Sequence, residues 1–315
     1  MLDPLIASRA AHFASSLVVG GAAIFVALVA RDVDAVRITV RRQEELMLAA
    51  LVLAVASGAT WLAFLAARIG QIPVGEAIND GTAWSVLTET QFGRVWEGRL
   101  IVALLLVSFA LFGSGRRKLG RLFAASQAAL AVLFVGMLAW SGHAAGTLGG
   151  TGILHLAADV LHLVAAAAWL GGLVPLLMFL ATKGEGPEIP LLDRYMVLRQ
   201  FSTLAAWSVT LIAASGIINT WFMTNGLQSF LGTDYGDLVL VKIGLFGVML
   251  GFGAVNRYWL TPRLRPAAGN SEAESRALRL LCASVSIEIA LGLVVMLVVA
   301  VLGQLPPPGH MHHAG

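Results

Sequence analysis

The chain reads as an all-α, polytopic membrane protein: an eight-helix transmembrane bundle with both termini on the periplasmic face. Three observations predict this. Of 315 residues, 58% are hydrophobic and only 12% charged, with a mean hydropathy of +0.82, which leaves too little polar surface to cover a water-soluble globule. The apolar residues gather into eight runs long enough to cross a bilayer. Of the 21 Lys and Arg, 16 fall in every second connection between those runs, the asymmetry that orients a membrane protein.

The first run, 9–30, is followed by Arg31, Arg37, Arg41 and Arg42. Leu28, Val29 and Ala30 resemble a signal cleavage site, but the length of the run and the four arginines after it favour a retained helix. The second run, 46–67, leads into the one long extracytoplasmic connection, Arg68 to Gly98. Trp84, Leu87, Phe92, Val95 and Trp96 alternate there with polar residues, the pattern of an amphipathic segment lying in the interface, with an irregular loop as the alternative. The third and fourth runs, 99–114 and 121–141, flank Arg116, Arg117, Lys118 and Arg121.

The fifth run, 152–180, precedes Lys183, Arg194 and Arg199, and the sixth is 200–222. After the seventh, 238–260, come Arg257, Arg263, Arg265, Arg276 and Arg279, and the eighth is 280–303. The intervening connections 142–151 and 223–237 hold no Lys or Arg. Residues 1–305 thus form a single transmembrane domain, and 306–315 a short extracytoplasmic tail. The net charge of +3 is spread in short clusters between apolar runs, which excludes nucleic acid as a partner and leaves the lipid bilayer.

Ionisable side chains inside such runs are costly and mark function by default. The fifth run carries His155, Asp159 and His162, which fall within an arc of roughly 60° on one helix face, over about 10 Å of rise. All seven histidines lie on the extracytoplasmic side by this topology. His12 opens the first helix, His143 ends the fourth, and His310, Met311, His312 and His313 sit in the tail PPPGHMHHAG.

Imidazole suits copper, zinc and haem iron, and thioether shifts the preference toward Cu(I). Cys282 is the lone cysteine, so an internal disulfide and a thiolate cage are both excluded. A metal site therefore falls to His143, His155, Asp159, His162 and His12, with the tail as a second set of donors. The competing reading is that each histidine satisfies a partner within the bundle. Met137, Met223, Met249 and Met296 are expected to be core filler rather than an ion path. Glu288 and Lys242 are further intramembrane charges, expected to pair with each other or with polar backbone. Gly171, Gly172 and Pro175 are expected to allow close packing and a bend.

The run LHLAADVLHLVAAAAWLGGLVPLL resembles the signature helix of the CopD family of bacterial copper resistance and copper uptake membrane proteins. Further similar pieces are TETQFGRVWEGRL, SGH, FSTLAAWSVTLIAASGIINTW, TDYGDLVLVKIGLFGVMLGFGAVNRYWLTP and IEIALGLVVMLVVAVLGQLPP, so the resemblance covers almost the whole chain. It implies an inner-membrane protein that moves copper ion, Cu(I) or Cu(II), across the membrane or receives it from the periplasm, often with the soluble copper-binding protein CopC. The family's histidine positions carry over to His143, His155 and His162, with Asp159 between. Some relatives carry a fused CopC-like domain; this chain is expected to lack one, so a separate CopC-like chaperone or the tail would deliver the ion.

The leading expectation is therefore copper import or hand-over without ATP, since the chain has no Gly-Lys pair and hence no ordinary phosphate-binding loop. No enzymatic activity is expected. One alternative is a cytochrome b-like redox protein holding haem b through His12 and His162. Another is a copper sensor or assembly factor that binds the ion and never moves it.

Overall fold

The computed structural model describes residues 3–29, 34–113, 120–142, 149–182, 189–223, 232–265 and 270–305, with 34–40, 112, 113 and 149 as backbone only. Among these residues every regular element is helical. The order is α1 (Pro4–Ile24, continued by a π turn Phe25–Val29), α2 (Asp34–Gly70), α3 (Val74–Asn79), α4 (Thr82–Glu89), α5 (Gln91–Gly113) and α6 (Gly120–Gly136, closed by a 3-10 turn Met137–Ser141). Then come α7 (Gly149–Ala166), a π turn (Ala167–Gly171), α8 (Gly172–Ala181) and α9 (Leu191–Met223). Last are α10 (Asp234–Val255, followed by a π turn Asn256–Leu260 and a 3-10 turn Thr261–Leu264) and α11 (Ser271–Leu302).

Seven helical stretches among the described residues are long and apolar enough to cross a membrane, and the 23-residue α5 occupies the place of the expected third span. Most helices outrun their apolar runs: α9 begins at Leu191 rather than 200, and α11 at Ser271 rather than 280. Side-chain caps set the starts of α11, α10 and α1. Asn270 accepts from the N–H groups of Glu272 and Ala273 with two acidic residues in the first turn, Thr233 accepts from Gly236, and Asp3 accepts from Leu5 beside Pro4. Each satisfies amide groups that a helix start leaves without partners, and Asp3, Asp234, Asp237, Glu272 and Glu274 place negative charge at the positive ends of the dipoles.

The bundle is built around α1, which packs on α2, α6, α8, α11 and the α7–α8 turn. Small residues make that possible: a Cβ on Gly171 would meet the Leu17 carbonyl, and one on Gly21 the backbone of Gly171 and Gly172. Where a bend is expected the helix makes a π turn: the Gly172 amide reaches back to the Ala167 carbonyl, and Pro175 just beyond supplies no N–H. Phe25, Phe134, Phe179 and Leu176 are fully buried against this crossing, whereas Val52, Ile101, Leu104, Ile217 and Trp221 point outward. An apolar outer surface of that extent is matched to lipid rather than water.

Connection 68–98 is helical rather than irregular. Gln71 adopts a left-handed φ of 54° that ends α2, with the Ile72 amide bonded to the Ala67 carbonyl. Then α3 and α4 fold beneath, burying Ala77 and Val86 on Ala66 and Ala67 while Trp84 stays exposed. The exposed Asp80 carboxylate accepts from the Thr82 amide, which holds it below the usual carboxylate range. This cap sits at the end of the bundle where α1 starts and α11 finishes, because Arg9 donates to the Gly303 carbonyl (2.8 Å) and Arg68 meets both Asp3 (3.7 Å) and Gln304.

Candidate metal-binding site

The polar stripe on α7 is matched by a second stripe on α9. Helix α7 offers positions 155, 159 and 162, and α9 offers 222, 219 and 215, the same spacing run in the opposite direction. The three rungs all form. His155 stacks on Phe222 with centroids 4.9 Å apart and planes 18° from parallel. Asp159 accepts from the Asn219 amide at 3.2 Å. His162 Nδ1 lies 3.1 Å from the Ser215 hydroxyl.

The third rung fixes the chemistry of its imidazole. Ser215 has one hydroxyl proton, and it points to the carbonyls of Leu211 (2.6 Å) and Ile212 (3.3 Å). The Ser215 oxygen must then accept, so His162 Nδ1 carries the proton and Nε2 keeps its lone pair. That is how ligating histidines are usually oriented.

Helix α10 reaches the seam through side chains. The charge of Lys242 acts on both Asp159 and His162, and Tyr235, which Asp159 also influences, donates to Met223 Sδ at 2.8 Å. Lys242 and Glu288, expected to pair with each other or with polar backbone, do not pair with each other: the charge of Lys242 acts on Asp159, and Glu288 accepts from the Asn256 amide. Sequence reading missed Ser215, Asn219, Phe222 and Tyr235. The repeat of spacing between α7 and α9 was the signal available for the first three.

His12 lies elsewhere. Its ring, 2% exposed, donates from Nδ1 to the Ala54 carbonyl (2.7 Å) and is enclosed by Trp61 and Trp96. It faces α2 and α5, not α7, beside Arg99, which donates to Ser16 (2.9 Å). The cavity at His12 holds about 10 Å³, room for a single water. Haem between His12 and His162 does not fit: one imidazole is walled in and the other faces α9 and α10.

Among the described residues no three His, Cys, Asp or Glu side chains converge on one point. His155 and His162 are strung along α7 about 10 Å apart by helix rise, so they form a ladder, not a closed cage. His143 and the tail residues His310, Met311, His312 and His313 lie outside the described residues. Gly142, which precedes His143, is beside Asp159: a Cβ there would lie 3.8 Å from Oδ2. Met249 and Met296 are packed in the central apolar cluster, as filler would be.

No solved structure matches the chain. The family described as Copper resistance protein D-like, N-terminal domain matches residues 1–153, and that described as Copper resistance protein D matches residues 195–302. Inner membrane protein YebZ of Escherichia coli K12 is 31% identical over 96% of this chain and 98% of its own length. Copper resistance protein D of Pseudomonas syringae pv. tomato is 30% identical over 80% of this chain and 83% of that protein. Copper transport protein CutJ of Bacillus subtilis 168 is 32% identical over 76% of this chain but only 43% of its own length. With both ends of the chain matched and relatives aligned across the histidine helix, the chain belongs to the copper resistance protein D family of multi-pass membrane proteins.

Proposed function

We propose that this protein receives copper at the periplasmic face of the inner membrane and passes it inward along the α7–α9 seam without ATP. The observation that carries the reading is the His162–Ser215 hydrogen bond, which leaves Nε2 free as a donor inside the membrane. His155, Asp159 and His162 then act as successive stations along the seam, the ion passing from one to the next. Lys242 opposes a resident cation and so keeps binding weak enough for release.

The membrane orientation follows the charge pattern. Arg41, Arg42, Arg121, Arg194, Arg257, Arg263 and Arg276 lie toward the end opposite His155 and His162, which makes that end cytoplasmic. With α5 counted, eight spans put both termini in the periplasm. His143, next to Gly142 and Asp159, adds a donor at the entrance. The His310, Met311, His312 and His313 tail or a CopC-like chaperone supplies the ion. Inward movement of one charge gains about 2.3 kcal/mol per 100 mV, enough for roughly a fortyfold gradient.

Sealed vesicles containing the purified protein test this. Copper is expected to accumulate in the lumen beyond the amount the chains themselves bind, and His155→Ala/His162→Ala vesicles are expected to stay empty. A plateau at one or a few ions per chain would mean a sensor or assembly factor and would end the transport reading.

Ser215→Ala removes the acceptor that orients His162 while leaving the ligands in place. Losing such a partner typically costs 10–100-fold in metal affinity. A chelator-competition titration is expected to show a drop in that range with the protein still folded; equal affinity would mean that His162 is not a ligand.

A further inference from the structure

The inner half of the bundle holds a second polar seam, between α10 and α11. Met249 and Gly253 of α10 face Gly292 and Glu288 of α11, with Asn256 at the start of the following π turn also on Glu288. A Cβ on Gly292 would lie 3.8 Å from Met249 Cε, and one on Gly253 3.8 Å from Glu288 Oε2. At the centre the Asn256 amide donates to Glu288 Oε1 at 2.6 Å. Glu288 is only 1% exposed.

Among the described residues, no cation of the neighbouring elements is directed at this carboxyl. On α1, Arg9 goes to the Gly303 carbonyl and His12 to Ala54. The α7–α8 turn and α8 carry no ionisable group. On α10 and the turns after it, Lys242 is set against Asp159, Arg257 donates to Ser202 of α9 with Tyr258 beside it, Arg263 is exposed and Arg265 lies over Tyr195. Glu288 also forms part of the wall of a cleft of about 530 Å³ between α1, α2, α8 and α11, where it is the one ionisable lining residue among the described residues. Glu45 at the near end of α2 is taken up by Arg41.

The pairing of Glu288 and Asn256 is half complete. Asn256 gives an N–H to Oε1, yet its own carbonyl Oδ1 is buried without a partner among the described residues, as is the Ser284 hydroxyl. A buried amide oxygen without a donor is unfavourable. A proton on Oε2 resolves it: a carboxylic acid and a primary amide close a ring of two hydrogen bonds, N–H to Oε1 and O–H to Oδ1.

We propose that Glu288 is a proton-binding site inside the membrane, held as a neutral acid in a cyclic pair with Asn256 and open to exchange through the cleft it lines. Releasing the proton from Oε2 leaves a carboxylate, and a cation entering the bundle supplies the opposite charge. Coupling to copper rests on the proposed function; the proton site itself does not.

Infrared difference spectroscopy of full-length protein in lipid, wild type minus Glu288→Gln, tests the site directly. Glutamine keeps both hydrogen bonds to Asn256, so the variant folds and differs in the acid alone. A protonated-carboxyl C=O band equivalent to one group per chain is expected at neutral pH, moving to higher frequency in Asn256→Leu. Carboxylate bands in place of the acid band at neutral pH would overturn the proposal, and so would an acid band indifferent to Asn256→Leu. In a separate arm, copper added to vesicles holding a pH dye is expected to move protons with wild type and not with Glu288→Gln. If copper moves and protons do not, the coupling is wrong. If neither moves while the acid band is present, the transport reading fails and the proton site stands.

Discussion

Replacing His155 and His162 together by alanine is expected to weaken copper binding by the membrane domain more than about a hundredfold, beyond the loss seen when only a partner of a ligand is removed. The fold should survive. His155→Ala gives up a stacked pair with Phe222, worth about 0.5–1.5 kcal/mol beyond buried area. His162→Ala leaves no stranded donor, because the Ser215 hydroxyl keeps its bonds to Leu211 and Ile212. The two single variants separate a ladder from a cage. If the imidazoles are independent stations about 10 Å apart, each single change removes one ion and spares the other. If one ion needed both, either change alone would empty the site. Copper per chain by elemental analysis, with chelator competition for affinity, reads the difference. Unchanged stoichiometry and affinity in the double variant would remove α7 from the account.

The α7 stripe was legible because His, Asp and His are conspicuous among apolar neighbours. Its counterpart on α9 was not, although the spacing is identical. Serine in a membrane helix bonds its own backbone four residues back, as Ser208, Thr210 and Ser215 all do, so Ser215 looks unremarkable until the register of α7 against α9 is known. Hydropathy fixes depth, not the direction a side chain faces around its helix. Depth was therefore enough to place His12 at the same end of the bundle as His155, and not enough to show that it turns to Ala54 and Trp96. The same limit explains Lys242, expected to pair with Glu288 or with polar backbone, whose charge acts instead on Asp159. Helix ends escaped for another reason. Hydropathy detects what hydrocarbon demands, whereas Thr233 and Asn270 extend α10 and α11 into polar sequence through their caps.

Gly171→Ala is expected to cost most of the folded protein, a larger effect than its single added methyl normally carries. The Cβ would land on the Leu17 carbonyl, and the matching change at Gly21 on the backbone of Gly171 and Gly172. Backbone atoms have no rotamer to escape into, so α1 and the α7–α8 turn must separate. Overpacking a core costs about 1–3 kcal/mol where side chains can adjust; here the central helix shifts and loosens Phe25, Leu173 and Leu176 of the core with it. The seam moves too, since Gly171 follows His162 on the same continuous helix. Gly247→Ala is the control. Nothing lies within 4 Å of a Cβ there, and alanine improves helix propensity by up to about 1 kcal/mol, so that variant should melt at or above the wild-type temperature. Thermal unfolding of the two proteins in one lipid or detergent reads the contrast. A Gly171→Ala protein that melted with the wild type would show that α1 is not the element on which the bundle closes.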